Sequence, residues 1–141
     1  MSALLVLKQT ATAVVPTRAT KDSAGYDLSA DEAFFLLPGE RRLASTGIAV
    51  RIPIGHYGQI ASRSGLAVKK SVEAFSGVID SDYNGEVKVL LKNLGSEVQH
   101  FAAGDRIAQL ILVKITTPEV ILLESLPETE RGGSGFGSTG H

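Results

Sequence analysis

Short apolar runs, each cut off by glycine, proline or a polar turn, recur along almost the whole chain. They are Leu4–Lys8, Tyr26–Ala30, Phe34–Leu37, Leu43–Ile52, Tyr57–Ala61, Val72–Phe75, Val78–Tyr83, Glu86–Lys92, Ile107–Ile115 and Val120–Glu124. Runs of this length suit strands better than helices, and their spacing leaves room for little besides turns. Pro38-Gly39 closes one run and Pro53 another, while 15 glycines supply the turns. The pattern predicts an all-β domain: a sandwich, barrel or jelly roll. One short helix is expected over Gly65–Lys70, with Ser64 near its N-cap and Lys69 and Lys70 at the favourable end of its dipole.

Asn84-Gly85 is the strongest local turn signal, because a type I′ turn needs positive φ at both central residues. It predicts a hairpin joining Val78–Tyr83 to Glu86–Lys92, with Asp80 opposite Val89 and Tyr83 opposite Glu86. Ile107–Ile115 reads as a strand buried on both faces, and Val120–Glu124 as the last strand. From Pro127 onward the composition changes. Arg131–Gly140 reads RGGSGFGSTG and cannot bury enough apolar surface to fold alone. The expected organisation is a β-domain over 1–126 and a flexible arm over 127–141. A frayed terminus is one reading of that arm; a ligand-gated cover is the other.

The 141 residues suit one domain and need no staple to form a core. With no cysteine there can be no disulfide framework, Cys-ligated zinc or thiol catalysis. A formal charge of −1 argues against a broad duplex-binding face, though a few converging cations could still hold a small anion. The apolar run Leu4–Leu7 is too short for a signal-peptide core, so an intracellular location, cytoplasmic or nuclear, is expected. Neither direct nucleic-acid binding nor membrane binding is expected.

Five segments combine chemistry-bearing residues with turns: AGYDLSA (Ala24–Ala30), SRSGLA (Ser62–Ala67), SGVIDSDYNGEV (Ser76–Val87), GDRIAQLI (Gly104–Ile111) and the RGGSGFGSTG tail. Arg63, Ser64 and Gly65 place a guanidinium, a hydroxyl and a bare backbone before a helix, the groups that phosphate needs; taken alone, the segment reads first as an ordinary N-cap with a surface arginine. Asp80 sits among apolar neighbours that gain nothing obvious from a carboxylate, so it is a candidate for aiming a water, whereas Asp82 reads as a turn stabiliser. Tyr83 is either a routine hairpin aromatic or a flat surface for a sugar. Taken alone, Asp27 and Gln109 read as structural, and Asp105-Arg106 as a local ion pair. His56, His100 and His141 show no ligand spacing.

In this order and spacing the five segments resemble the five motifs of the trimeric dUTP pyrophosphatase family, over Ala24 to Gly140. The resemblance implies a jelly-roll subunit, a homotrimer with shared active sites, and hydrolysis of dUTP to dUMP and pyrophosphate by Mg²⁺-assisted in-line attack of water at the α-phosphorus. That activity would limit uracil in DNA and supply dUMP for dTMP synthesis. Transferred residue by residue, Asp80 would be the general base. Arg63, Ser64, Gly65, Gln109, Arg131, Ser138 and Thr139 would hold phosphates. Gly77, Val78, Ile79 and Lys88 would border the uracil, Tyr83 would pack on deoxyribose, and Phe136 and Gly137 would close over the base. Mg²⁺ would be held mainly through substrate phosphates, with Asp27 near it through water.

The sequence departs from the commonest family pattern at Asn84, at Glu73–Ser76 and at Gly133-Ser134. Two rivals bear on function: a dCTP deaminase on a related fold, and a nucleotide-sensing trimer without catalysis. Asp80 followed by Tyr83, together with the glycine-rich arm, favours triphosphate cleavage over deamination. Asp80, Arg63 and Arg131 together favour an enzyme over a sensor.

Overall fold

A computed structural model describes residues 3–75 and 77–137. Ten strands and one helix follow one another: β1 (Leu5–Lys8), β2 (Gly25–Ser29), β3 (Phe34–Leu36), β4 (Arg41–Arg51), β5 (His56–Ala61), α1 (Ser64–Lys70), β6 (Val72–Phe75), β7 (Val78–Ile79), β8 (Glu86–Asn93), β9 (Gln99–Phe101) and β10 (Arg106–Lys114). One sheet has the order β1-β4-β8-β6, a second β2-β10-β5-β7, and β3 pairs with β9 in a short ribbon. All of these pairings are antiparallel. This is the expected all-β jelly roll with a single short helix.

Alternation along the strands builds the core. In β8, Val87, Val89, Leu91 and Asn93 point inward while Lys88 is exposed. Leu28 of β2, Ile48 and Val50 of β4, Ile60 of β5, and Ile107 and Leu110 of β10 meet them in one cluster. A side chain of Leu or Ile size contributes roughly 1.5–3 kcal/mol when fully buried, so this cluster is what holds the two sheets together. Asn93 is the polar exception at 0% exposure. Its amide donates to Leu36 O (3.1 Å) and Glu97 O (2.7 Å), and its Oδ1 accepts from Gly95 N–H (3.0 Å). The end of β8 is thereby tied to β3 and to the loop that leads into β9.

Four expectations need correction. β7 pairs with β5 in the opposite sheet and β8 pairs with β4 and β6, so Asn84-Gly85 closes no hairpin and Asp80 does not face Val89. Neither Asn84 nor Gly85 has the positive φ that a type I′ turn requires. β7 is also only two residues long; Asp80 to Tyr83 forms a turn, with Tyr83 N–H donating to Asp80 O at 3.1 Å. Ser64 is the first helical residue and Arg63 the N-cap; a guanidinium offers no acceptor to the first helical N–H groups, so there is no side-chain cap, and Arg63 turns instead toward Asp27. β10 is buried only in its first half: Ile107, Ala108 and Leu110 are buried, whereas Ile111 to Val113 are half-buried.

The fourth correction concerns the C-terminal segment. No helix or strand follows β10 among the described residues. Val120 and Leu122, expected in a last strand, are 98% and 95% exposed. A strand needs a partner edge for its backbone, and this segment has none among the described residues. The ribbon strand β9, in contrast, was not anticipated. It is three residues long and is anchored by Phe101, whose ring stacks on Phe34 at 4.8 Å.

Candidate active site

Two clefts hold most of the residues singled out in the sequence, and they share no lining residue. The first, of about 270 Å³, opens between β7 and the start of β8. Val78, Ile79, Asp80, Tyr83 and Lys88 line it, together with Leu43, Ile60, Glu86 and Val87. Its back wall follows from a close approach of two backbones. Ile60 N–H donates to Gly77 O at 2.6 Å, and a Cβ on Gly77 would stand 2.8 Å from Ile60 Cβ and 2.9 Å from Ile60 C. Only glycine lets β7 lie this near β5. Gly77 itself does not line the cleft but sets its depth.

Asp80 is exposed at the mouth of this cleft. Among the described residues, no ion pair or hydrogen bond engages its carboxylate, which leaves it open to water. The Tyr83 ring folds back over Gly85, and its hydroxyl donates to Glu86 O at 2.8 Å.

The second cleft, about 170 Å³, lies at the start of α1 and is lined by Asp27, Arg63, Ser64, Gly65 and Gln109, with Ala19, Ser23 and Gly25. Asp27 on β2 forms ion pairs on two sides: Arg63 Nε lies 3.4 Å from Oδ1 and Arg106 Nη1 lies 3.9 Å from Oδ2. Arg63 Nη1 also reaches Arg106 O at 3.5 Å. Gln109 lies over Gly25, where a Cβ would come within 2.8 Å of Gln109 Cβ, and its amide donates to Ser62 O at 2.9 Å. That bond fixes the backbone just before Arg63. Ser62 Oγ in turn accepts from Ala74 N–H at 2.9 Å, so the segment ahead of α1 is held from both sides.

Arg106 departs from the local pairing expected with Asp105. It turns to Asp27, while Asp105 Oδ2 accepts from Ala102 N–H at 2.8 Å. Its proximity to the Asp27–Arg63 pair follows from the β2–β10 register, in which Gln109 lies opposite Asp27, and a single sequence gives no such register. The cleft-lining roles of Ala19, Ser23, Leu43 and Glu86 were likewise not anticipated.

The tail residues stand apart. Arg131 Nε donates to Ser134 O at 2.6 Å, Phe136 is fully exposed with φ of 50°, and neither they nor Gly137 line either cleft. Ser138 and Thr139 lie outside the described residues. Among the described residues, no three His, Cys, Asp or Glu side chains gather as a metal cage.

The jelly roll carries an arginine cleft and a tyrosine–carboxylate cleft, and its relatives place the chain among small all-β nucleotide hydrolases. The dUTPase family model matches residues 11–140. The chain is 50% identical over 141 residues to the deoxyuridine 5′-triphosphate nucleotidohydrolase of Paramecium bursaria Chlorella virus 1, covering 99% of both. A mutant dUTPase of Staphylococcus bacteriophage 80alpha, solved with dUpNHpp, superposes with a TM-score of 0.92 at 31% identity, covering 100% of both chains. A mutant dUTPase from phage phi11 of S. aureus, whose structure describes the coordination of a structural Mg(II) ion, has a TM-score of 0.84 at 29% identity. That match covers 90% of this chain and 100% of the phage chain. The chain belongs to the dUTPase family.

Proposed function

We propose that the chain hydrolyses dUTP to dUMP and pyrophosphate, with Asp80 as general base and the two clefts as halves of one composite site. The observation that carries the reading is the division of chemistry between them. One cleft offers a flat ring, a backbone edge and an exposed carboxylate; the other offers Arg63, Ser64 and Gly65. A nucleoside triphosphate needs both sets. Uracil and deoxyribose fit the Val78–Tyr83 side, and the phosphates fit the arginine side.

In this mechanism the Asp80 carboxylate takes a proton from a water as the water attacks the α-phosphorus, and pyrophosphate leaves in line. A positioned base contributes typically ~10²–10⁴-fold, so alignment and charge stabilisation supply the rest. Arg63 is pre-oriented by Asp27, which limits the freedom lost on gripping phosphate. Mg²⁺ keeps several waters and binds through substrate phosphates, so it requires no acidic cage from the protein. Asp27, already paired with two arginines, would meet the ion through water. Bound Mg²⁺ supplies charge neutralisation on the phosphate oxygens.

Clefts that share no lining residue fit a homotrimer in which neighbouring copies complete each site. So does the exposed Val120–Leu123 segment, whose apolar side chains call for cover from another copy. The arm over 127–141 then closes a site on another subunit, with Arg131 on the γ-phosphate, Phe136 over uracil, and Gly137, Ser138 and Thr139 beside them. Cellular roles in limiting uracil in DNA and in supplying dUMP, and a location inside the cell, belong to the same reading. The test is pyrophosphate release from dUTP by the wild type and by Asp80→Asn. A loss of at least ~10²-fold, with unchanged thermal unfolding, is expected. Equal rates remove Asp80 as the base, and wild-type binding without turnover returns the sensor reading.

A further inference from the structure

The loop that carries Tyr83 is latched to an irregularity in β4 by the residue that follows it. Between Ser45 and Ala49 the pairing of β4 with β8 slips: Ser45 faces Lys88, yet Ala49 faces Glu86. Four steps on β4 thus span two on β8, so β4 bulges outward around Gly47, whose φ is +70°. The bulge frees the Gly47 N–H from the ladder, and the Glu86 carboxylate accepts it at 2.9 Å. Beside it, Thr46, 1% exposed, donates its hydroxyl to Val87 O at 2.5 Å. The bulge is braced from behind as well. Asp31 accepts from the hydroxyls of Thr10 and Thr12 at 2.8–3.0 Å, and a Cβ on Gly47 would collide with Thr10 and Asp31.

Glu86 also meets Tyr83 through its backbone, since the tyrosine hydroxyl donates to Glu86 O at 2.8 Å. A Cβ on Gly85 would lie 2.5 Å from Tyr83 Cζ and 2.8 Å from Cε1, so the ring occupies the space a side chain there would need. One residue therefore sets both the height of the loop, through its carboxylate, and the tilt of the ring, through its carbonyl.

We infer that Glu86 is a positioning residue for sugar discrimination: its grip on the Gly47 amide holds the Tyr83 ring at the depth where deoxyribose fits and a 2′-hydroxyl does not. The inference rests on the reading of Tyr83 as the surface under the sugar. If the loop is released, the ring can recede, and the space thus opened admits ribose.

The experiment compares kcat/KM for dUTP and UTP in the full-length chain. Glu86→Ala should lower the dUTP:UTP ratio by about tenfold. Glu86→Gln, which keeps an acceptor for Gly47 N–H, should hold the ratio within about twofold, a rescue that a purely electrostatic role would not give. Gly85→Ala displaces the same ring without touching the carboxylate and should reproduce the loss even if Glu86→Ala does not fold. Tyr83→Ala tests the underlying reading. If Tyr83→Ala lowers the ratio while Glu86→Ala leaves it unchanged, the positioning role is refuted, whatever Gly85→Ala does, and the reading of Tyr83 stands. If Tyr83→Ala itself leaves the ratio unchanged, both fall.

Discussion

Gly77→Ala should disable the enzyme although Gly77 does not itself line the cleft. The added Cβ would stand 2.8 Å from Ile60 Cβ and 2.9 Å from Ile60 C, closer still to the carbonyl oxygen. Carbon atoms prefer roughly 3.5–4.0 Å, so β7 and β5 must separate by about 1 Å. Ile60 cannot retreat: it is 5% exposed and pairs with Leu110 of β10 on its other side. The movement therefore falls on β7, stretching the 2.6 Å bond from Ile60 N–H to Gly77 O. Overpacking costs typically about 1–3 kcal/mol, and weakening a buried hydrogen bond about 1 kcal/mol more, for a total of roughly 2–4 kcal/mol. Asp80 follows directly on β7 and moves with it. A misplacement near 1 Å can reduce turnover by about 10²-fold. Denaturant unfolding and pyrophosphate release measure the two effects. Unfolding within 0.5 kcal/mol of wild type, roughly the scatter of neutral surface changes, together with normal turnover would refute the reasoning that close packing of β7 on β5 positions the Asp80 carboxylate, the proposed base.

Removal of residues 131–141 should leave the β-domain folded, as read by circular dichroism, and reduce turnover at least ~10²-fold, because the proposed γ-phosphate clamp and uracil cover are lost. Arg131→Ala should weaken dUTP binding far more than dUMP binding in calorimetric titrations, since only dUTP carries a γ-phosphate; equal losses would argue against that contact. Asn93→Ala should destabilise the fold by roughly 2–4 kcal/mol in denaturant unfolding, because it leaves Leu36 O, Glu97 O and Gly95 N–H without their shared partner.

Alternation and turn residues made most strands visible in the sequence, with β4, β8 and β10 each found within two residues of the observed ends. Partners were less visible. Asn84-Gly85 carried the chemistry of a tight hairpin, yet Gly85 is used to seat the Tyr83 ring, and the chain crosses from one sheet to the other. Val120–Glu124 has strand-forming side chains but pairs with no edge among the described residues, and propensity without a partner gives no strand. The clefts followed the same rule. Asp80 and Tyr83 lie close together in sequence and line one cleft. Arg106 joins Asp27 and Arg63, and Glu86 grips Gly47, only because of registers and a bulge that span tens of residues.

The most direct test of the composite site is a crystal structure of the full-length chain with a non-hydrolysable dUTP analogue and Mg²⁺. The account predicts deoxyuridine on the Tyr83 side of one chain, phosphates on Arg63, Ser64 and Gly65 of a neighbouring chain, and the Asp80 carboxylate bonded to a water in line with the α-phosphorus. A nucleotide bound wholly to one chain would contradict it, as would an Asp80 carboxylate turned away with no water between it and the phosphorus.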